Sequence, residues 1–356
     1  MYKRSRFILL TLLCAAGAAA ENMTETQKMD VLKQESPWLV APIVSSNPKL
    51  GTSGGALAGY LYHFDAKSPV STFGVGGIYT TTHSAIGALF ARTFFDKGRQ
   101  RLNVFAVGGK VNNDYSDFDN TGYSVKSQGD LDSLFARYLY SWGNDLFIGL
   151  QATVTNYGII PGDDISEIIL EDLGLKGFNA NGVGLIVNYD SRDNVNTPSF
   201  GFYAMLDNMA FRKALGGSVD FDLYLFKAQQ YLAHGKGNVF AWQLGSQWTV
   251  DAPPSAYASV SLRGYVRGQY IAPSMSYFQV EERLALGERW GLTAFAGIAC
   301  LYDDGTACTD KGNLYPDGGG GMYYMLKPKD KIAVTVEYAD GQSDNQGFYM
   351  RLGWGF

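Results

Sequence analysis

From about residue 37 to its end, the chain alternates large apolar side chains with small or polar ones at a period of two. Phe348, Met350, Leu352, Trp354 and Phe356 share one face of an extended chain, and Gly347, Tyr349, Arg351, Gly353 and Gly355 share the other. Ile332, Val334, Val336 and Tyr338 alternate in the same way with Lys331, Ala333, Thr335 and Glu337, and the split recurs over 146–155 and 240–250. A two-residue period is the signature of β-strands. It fits either a soluble sandwich, whose apolar face is the core, or a membrane barrel, whose apolar face meets lipid while the polar face lines a wet interior. Segments of about ten residues with Trp or Tyr near their ends, and an aromatic final residue, favour the barrel.

The N-terminus supports export. Lys3, Arg4 and Arg6 precede the apolar run Phe7 to Ala15, and small residues end at Ala20 before Glu21, so residues 1–20 read as a cleavable signal peptide. That run is too short to span a bilayer as a helix. Cys14 follows Leu12-Leu13 rather than a small residue, which argues against lipidation. Cleavage removes three positive charges and takes the formal net charge from −5 to −8. An acidic chain does not suit a nucleic-acid partner. Cys300 and Cys308 lie close together in an exported chain and read as a local disulfide, with two free thiols as the alternative. The mean hydropathy of −0.09 leaves no helix-spanning segment after residue 20. Lipid is crossed only by helices or closed barrels, so a membrane reading of this Gly- and aromatic-rich chain is a barrel reading.

Turn chemistry bounds sixteen candidate strands: 37–47, 52–64, 70–81, 84–96, 99–111, 130–141, 144–157, 180–190, 200–212, 219–233, 237–250, 276–287, 289–300, 318–326, 331–340 and 347–356. An even count places both ends of the barrel chain on the periplasmic side. Tight connections such as Gly235-Lys236-Gly237 and Lys327-Pro328-Lys329-Asp330 then alternate with the long outer ones 112–129, 158–179, 251–275 and 301–317. The expected fold class is an all-β transmembrane antiparallel barrel of about 16 strands over 37–356, preceded by a short periplasmic segment, 21–36, with no room for a further domain. The run Asp317-Gly318-Gly319-Gly320-Gly321 reads as a flexible loop entering a strand; no Lys-Ser/Thr and helix follow to make a phosphate cradle.

Three stretches carry a family resemblance. Leu262-Arg263-Gly264-Tyr265 sits in the longest non-strand segment, between candidate strands eleven and twelve. Tyr189-Asp190-Ser191-Arg192-Asp193-Asn194, followed by Thr197-Pro198-Ser199-Phe200-Gly201-Phe202, lies between strands eight and nine; Trp354-Gly355-Phe356 closes the chain. In order and spacing these resemble the bacterial surface antigen family of outer-membrane barrels, the BamA/TamA and two-partner secretion transporter superfamily. Its sixth outer loop carries Val/Leu-Arg-Gly-Phe/Tyr, and its periplasmic turn carries Tyr-Asp-x-Arg-Asn/Asp … Pro-Thr-x-Gly. The resemblance implies a sixth outer loop folded into the lumen, and a C-terminal assembly signal in Trp354 and Phe356. It also implies that Arg263 meets a carboxylate of the strand-twelve to strand-thirteen wall.

Glu281 is the preferred partner of Arg263, because Gln279, Glu281 and Arg283 share the face opposite Phe278, Val280 and Leu284. Glu282 then points toward lipid, which is tolerable near an interface. The family's strand-thirteen Asp is replaced by Gly297, and Arg267-Gly268 offers a second candidate for the wall contact. The POTRA domains that capture clients in assembly and secretion members are expected to be absent, so a separate POTRA-containing protein is a possible partner. The other implied partners are the Gram-negative outer-membrane bilayer, its lipopolysaccharide and the barrel-assembly machinery.

His63, His83 and His234 stand near strand ends, outside any Ser/His or Asp/His constellation, so no enzyme activity is expected. No metal or cofactor is implied. Asp303 and Asp304 offer two Ca²⁺ ligands, although a solvated acidic loop is the simpler reading. The expected function is a gated or plugged pore in protein or lipid transport or outer-membrane organisation. The alternatives are a passive diffusion porin and a surface-exposed structural or adhesive protein.

Overall fold

The computed structural model describes residues 36–356 except 116–117, 311 and 355–356. The signal peptide and all of the 21–36 segment but Ser36 lie outside the described residues, as does Phe356.

Sixteen strands form one closed antiparallel barrel: β1 (Trp38–Asn47), β2 (Gly51–Tyr62), β3 (Ser71–Thr80), β4 (Ala85–Phe95), β5 (Gln100–Tyr115), β6 (Val125–Gly143), β7 (Leu146–Pro161), β8 (Phe178–Asp190), β9 (Gly201–Phe211), β10 (Phe221–His234), β11 (Asn238–Val250), β12 (Ser274–Ala285), β13 (Trp290–Tyr302), β14 (Leu314–Lys327), β15 (Ile332–Asp340) and β16 (Gln346–Leu352). Each strand pairs with its sequence neighbours, and β1 pairs with β16 to close the ring. That closing seam is short. Val44, Ser45 and Ser46 pair with Met350, Tyr349 and Phe348, whereas β1 and β2 pair from Trp38↔Tyr60 to Asn47↔Gly51. Below, the near rim is the one where β1 starts and β16 ends; the far rim is opposite.

Alternation assigns the two faces. Val40, Leu150 and Leu185 point outward, 71%, 64% and 61% exposed, while Gln151, Asn188 and Glu281 point inward and are buried. An apolar outer surface with a polar interior inverts a water-soluble fold, and hydrocarbon is the solvent it suits. Tyr62, Phe64, Trp142 and Trp290 are exposed at the near rim, as an interfacial aromatic belt requires. Outward Glu282 lies three residues from the near-rim end of β12, and His234 Nε2 meets its Oε1 at 2.7 Å.

The structure departs from the sequence expectation in four places. The expected 112–129 outer connection is half strand, with β5 running to Tyr115 and β6 starting at Val125. The Asp317–Gly321 stretch is not a loop: it lies within β14 and pairs on both edges, Gly297↔Asp317 with β13 and Gly321↔Glu337 with β15. Glycine weakens an isolated strand, but here two flanking strands hold the backbone and approach where side chains would block them. The 158–179 connection contains α1 (Asp164–Asp172), which begins where Asp163 Oδ1 accepts the Ser166 N–H at 2.8 Å and buries Ser166 and Leu170. Finally, β16 stops at Leu352. Gly353 adopts φ +88°, and Trp354 leaves the outward face to which the alternation assigned it.

Candidate functional site: the lumen loop and its wall

The 251–273 connection between β11 and β12 folds into the barrel. A two-residue ladder, Ala258↔Ala272 and Ser259↔Ile271, narrows its neck. Beyond the neck Leu262, Tyr265 and Tyr270 pack with Met275, Ala299, Leu301 and Tyr315 of the β12–β14 wall. On the loop's other flank Val266 packs with Tyr115, Phe118 and Val125, and with Leu170 of α1. Its backbone is also held: Gly264 N donates to Tyr349 Oη at 3.1 Å, Val266 N to Asn345 Oδ1 at 3.3 Å, and Asp119 N to Gln269 O at 2.9 Å. Tyr265 Oη donates to Pro316 O at 2.7 Å and accepts from Gln342 N at 2.9 Å. Gly264 has φ +91°, and a β-carbon there would stand 3.2 Å from the Asp340 carbonyl carbon, so the motif needs glycine on both counts.

The structure brings Arg263 and Glu281 together. Arg263 Nη1 lies 2.7 Å from Glu281 Oε2 and 3.0 Å from Glu337 Oε1, and its guanidinium stacks on Phe295 at 3.5 Å from the ring centroid. Glu281 Oε1 takes Arg283 Nε at 2.7 Å, and Glu337 Oε2 lies 3.1 Å from Arg351 Nη2. Both carboxylates are fully buried, so their charge must be answered by cations, and each has two. Arg267 is exposed and, among the described residues, makes no wall ion pair; its carbonyl accepts from Lys49 Nζ at 3.1 Å. Gly297 leaves room for Asp317, whose carboxylate a β-carbon at 297 would strike, and Asp317 Oδ2 accepts from Gln279 at 2.8 Å.

Glu337, Arg351, Tyr349 and Asn345 were not singled out from the sequence. Glu337 had a usable signal: it is the acidic residue on the inward face of a strand otherwise lined by Ala333, Thr335 and Ala339.

The β8–β9 turn, 191–200, does more than reverse the chain. Asp190 receives both Nε of Arg192 at 2.7 Å and Nη1 of Arg101 at 2.6 Å. From there the turn runs across the near rim to the opposite side of the barrel. Thr197 Oγ1 donates to Lys331 O at 2.6 Å, Asn196 Nδ2 to Asp330 O at 3.2 Å, and Pro198 O accepts from Arg283 Nη1 at 3.2 Å. Trp354 Nε1 donates to Thr197 Oγ1 at 3.0 Å, and its ring lies 4.0 Å from the Arg283 guanidinium carbon. Arg283 therefore joins the loop network to the turn. Gly201, φ +110°, ends the turn where a β-carbon would strike the Ser191 carbonyl.

Asp193 organises the turn by accepting from Ser199 N and Oγ at 2.8 and 2.6 Å, from Phe200 N at 3.1 Å and from Lys331 Nζ at 3.1 Å. Burial alone would raise this carboxyl, but the hydrogen bonds from Ser199 and Phe200 and the Lys331 ammonium outweigh it and hold the group below its ordinary value. A depressed folded-state pKa contributes stability above the unfolded value, lost as pH falls through the folded one. The expected result is that wild-type loses stability relative to Asp193→Asn below about pH 4, read as the midpoint of heat-induced unfolding on gels. Parallel pH profiles for the two proteins would remove Asp193 from the account.

The remaining residues singled out from the sequence lie apart from the lumen. Cys300 and Cys308 form a disulfide with Cα atoms 5.4 Å apart at the far rim. Asp303 is occupied by its own loop, accepting from Gly305 N, Thr306 N and Thr306 Oγ1. His63 faces Asp330 at 3.5 Å, and His83 shares a hydrogen bond with Tyr79 Oη at 2.9 Å.

No protein-family model and no curated protein matches the sequence. Solved structures do match. BamA from Haemophilus ducreyi lacking POTRA domains 1–3 aligns with a TM-score of 0.57 at 13% identity, over 90% of this chain and 70% of that one. CdiB from Acinetobacter baumannii gives 0.56 at 12%, over 89% and 59%, and CdiB from Escherichia coli 0.57 at 12%, over 90% and 63%. This chain therefore spans less than two thirds of either CdiB. At such identities the likeness is one of architecture: the chain has the sixteen-strand barrel fold found in BamA and CdiB.

Proposed function

We propose that this chain is a plugged pore of the Gram-negative outer membrane, in the surface antigen superfamily, acting without catalysis in protein or lipid transport or in outer-membrane organisation. In this reading the far rim faces outward and the near rim faces the periplasm. The observation that carries it is the loop 251–273, fastened inside the lumen by Arg263 to two buried carboxylates, with the 191–200 turn lying across the near mouth. A diffusion porin keeps an aqueous channel open. Here two connections from opposite rims enter that space, and Arg283 links them. Release of the loop would open a path without unfolding the wall, which is what a gate requires.

The test is single-channel conductance of the refolded barrel in planar bilayers, before and after deletion of 255–274. Brief, small openings should give way to a large, steady conductance in the deletion. A large, steady conductance in the intact protein would instead favour the porin reading.

A further inference from the structure

Almost every inward-pointing cation of the wall is answered by a carboxylate or a turn. Arg101 and Arg192 share Asp190, Arg137 holds Asp207, Arg283 holds Glu281, and Arg92 reaches the Val195 and Asn196 oxygens of the near-rim turn. Lys227 of β10 is an exception. Its cross-strand partners are Met205 and Gly245, and Asp207, one inward row away opposite Leu225, is 2.8 Å from Arg137. Arg267, on the lumen loop, is the other exception; among the described residues neither side chain forms an ion pair.

The two line one cavity of about 430 Å³ between the loop and the β9–β12 wall, and no Asp or Glu lines it. Met205, Tyr257, Met275 and Tyr277 supply apolar and aromatic surface there, and Ser259 and Gln247 supply neutral hydrogen-bonding groups. Two like charges facing an acid-free cavity repel each other, and an anion between them offsets that repulsion and supplies the counter-charge. Lysine offers a compact point charge and arginine a planar fork matched to two oxygens. The volume lies in the range of small-molecule sites, and its mixed lining suits a ligand with an apolar body and one charged end.

We propose that this cavity binds a small organic oxyanion, a carboxylate or phosphate ester, held between Lys227 and Arg267 with its apolar part against Tyr257 and Tyr277. Arg267 belongs to the plug and Lys227 to the wall, on the side away from the Arg263 anchor. A bound anion therefore fastens the loop at a second point, and by reciprocity a seated loop strengthens anion binding. The site rests on the loop lying in the lumen and not on the transport reading.

The test is calorimetric titration of the refolded barrel in zwitterionic detergent at low salt, with phenyl phosphate and separately benzoate as probes. The expected result is saturable binding of at least one probe at one site per barrel, weakened by added salt. Losing one charge-assisted contact should lower affinity about tenfold or more, so Lys227→Met and Arg267→Gln should each do so while Lys227→Arg retains binding. Arg99→Gln, which alters a cation paired with Asp96 on the near rim, should leave binding unchanged. Gel heat-modifiability confirms that each variant is folded. Failure of both probes to saturate, or binding that survives both cavity variants, would overturn the site, while conductance of the same samples reports on the plug separately.

Discussion

Glu281→Ala is expected to be the most damaging lumen substitution, lowering barrel stability by about 3–5 kcal/mol, the range for stranding a buried charge. The reason is the sharing pattern. Glu281 is the carboxylate partner of Arg283, whose side chain is 2% exposed, and without it that cation keeps the Pro198 carbonyl and the Trp354 and Tyr231 faces but no carboxylate. Arg263→Ala removes the motif's own cation yet leaves each carboxylate one arginine: Glu281 keeps Arg283 at 2.7 Å, and Glu337 keeps Arg351 at 3.1 Å. Its cost should be nearer the 1.5–3 kcal/mol of a charged hydrogen bond, at about that magnitude, and should appear chiefly as a loosened loop. Unfolding midpoints in denaturant, compared in one detergent, give the ranking. If Arg263→Ala proves the more damaging of the two, the shared-carboxylate account of the network is wrong.

That ranking was not legible in the sequence, although much around it was. Period-two alternation located every strand, because a side chain's face is set by the pleat and does not depend on what the strand pairs with. The pairing of Arg263 with Glu281 could be anticipated because Glu281 lies on the inward face of the strand that follows the loop. Glu337 lies 74 residues from Arg263 in sequence and meets it through closure of the barrel, which alternation does not report. The near-rim turn was harder still. Its motif marks a tight reversal at Asp190 and Arg192, but Asn196 and Thr197 bind main-chain carbonyls of Asp330 and Lys331, and any residue type could supply those acceptors. Asp317 misled for the opposite reason: four following glycines look like a breaker until strands on both sides are known to hold them.

Leu150→Arg is expected to cost about 2–4 kcal/mol, the penalty for a cation at the midplane of a barrel's lipid face. Outward residues on β7 are apolar from Leu146 through Ile148, Leu150, Ala152 and Val154 and become polar at Asn156, so Leu150 marks the middle of the belt. Its outward neighbours across the sheet, Tyr138 and Leu185, offer no counter-charge. Leu150 is 64% exposed, and at such a position in a water-soluble protein Leu→Arg would be nearly neutral, within about 0.5 kcal/mol. Thr153→Arg, three residues along on the inward face, supplies the control: its new charge enters the polar lumen and should cost much less. Folding yield into phospholipid vesicles and unfolding midpoints in them measure both. Equal, small effects for the two arginines would mean that the outer face meets water, and a plug inside a membrane pore could no longer be the function of this chain.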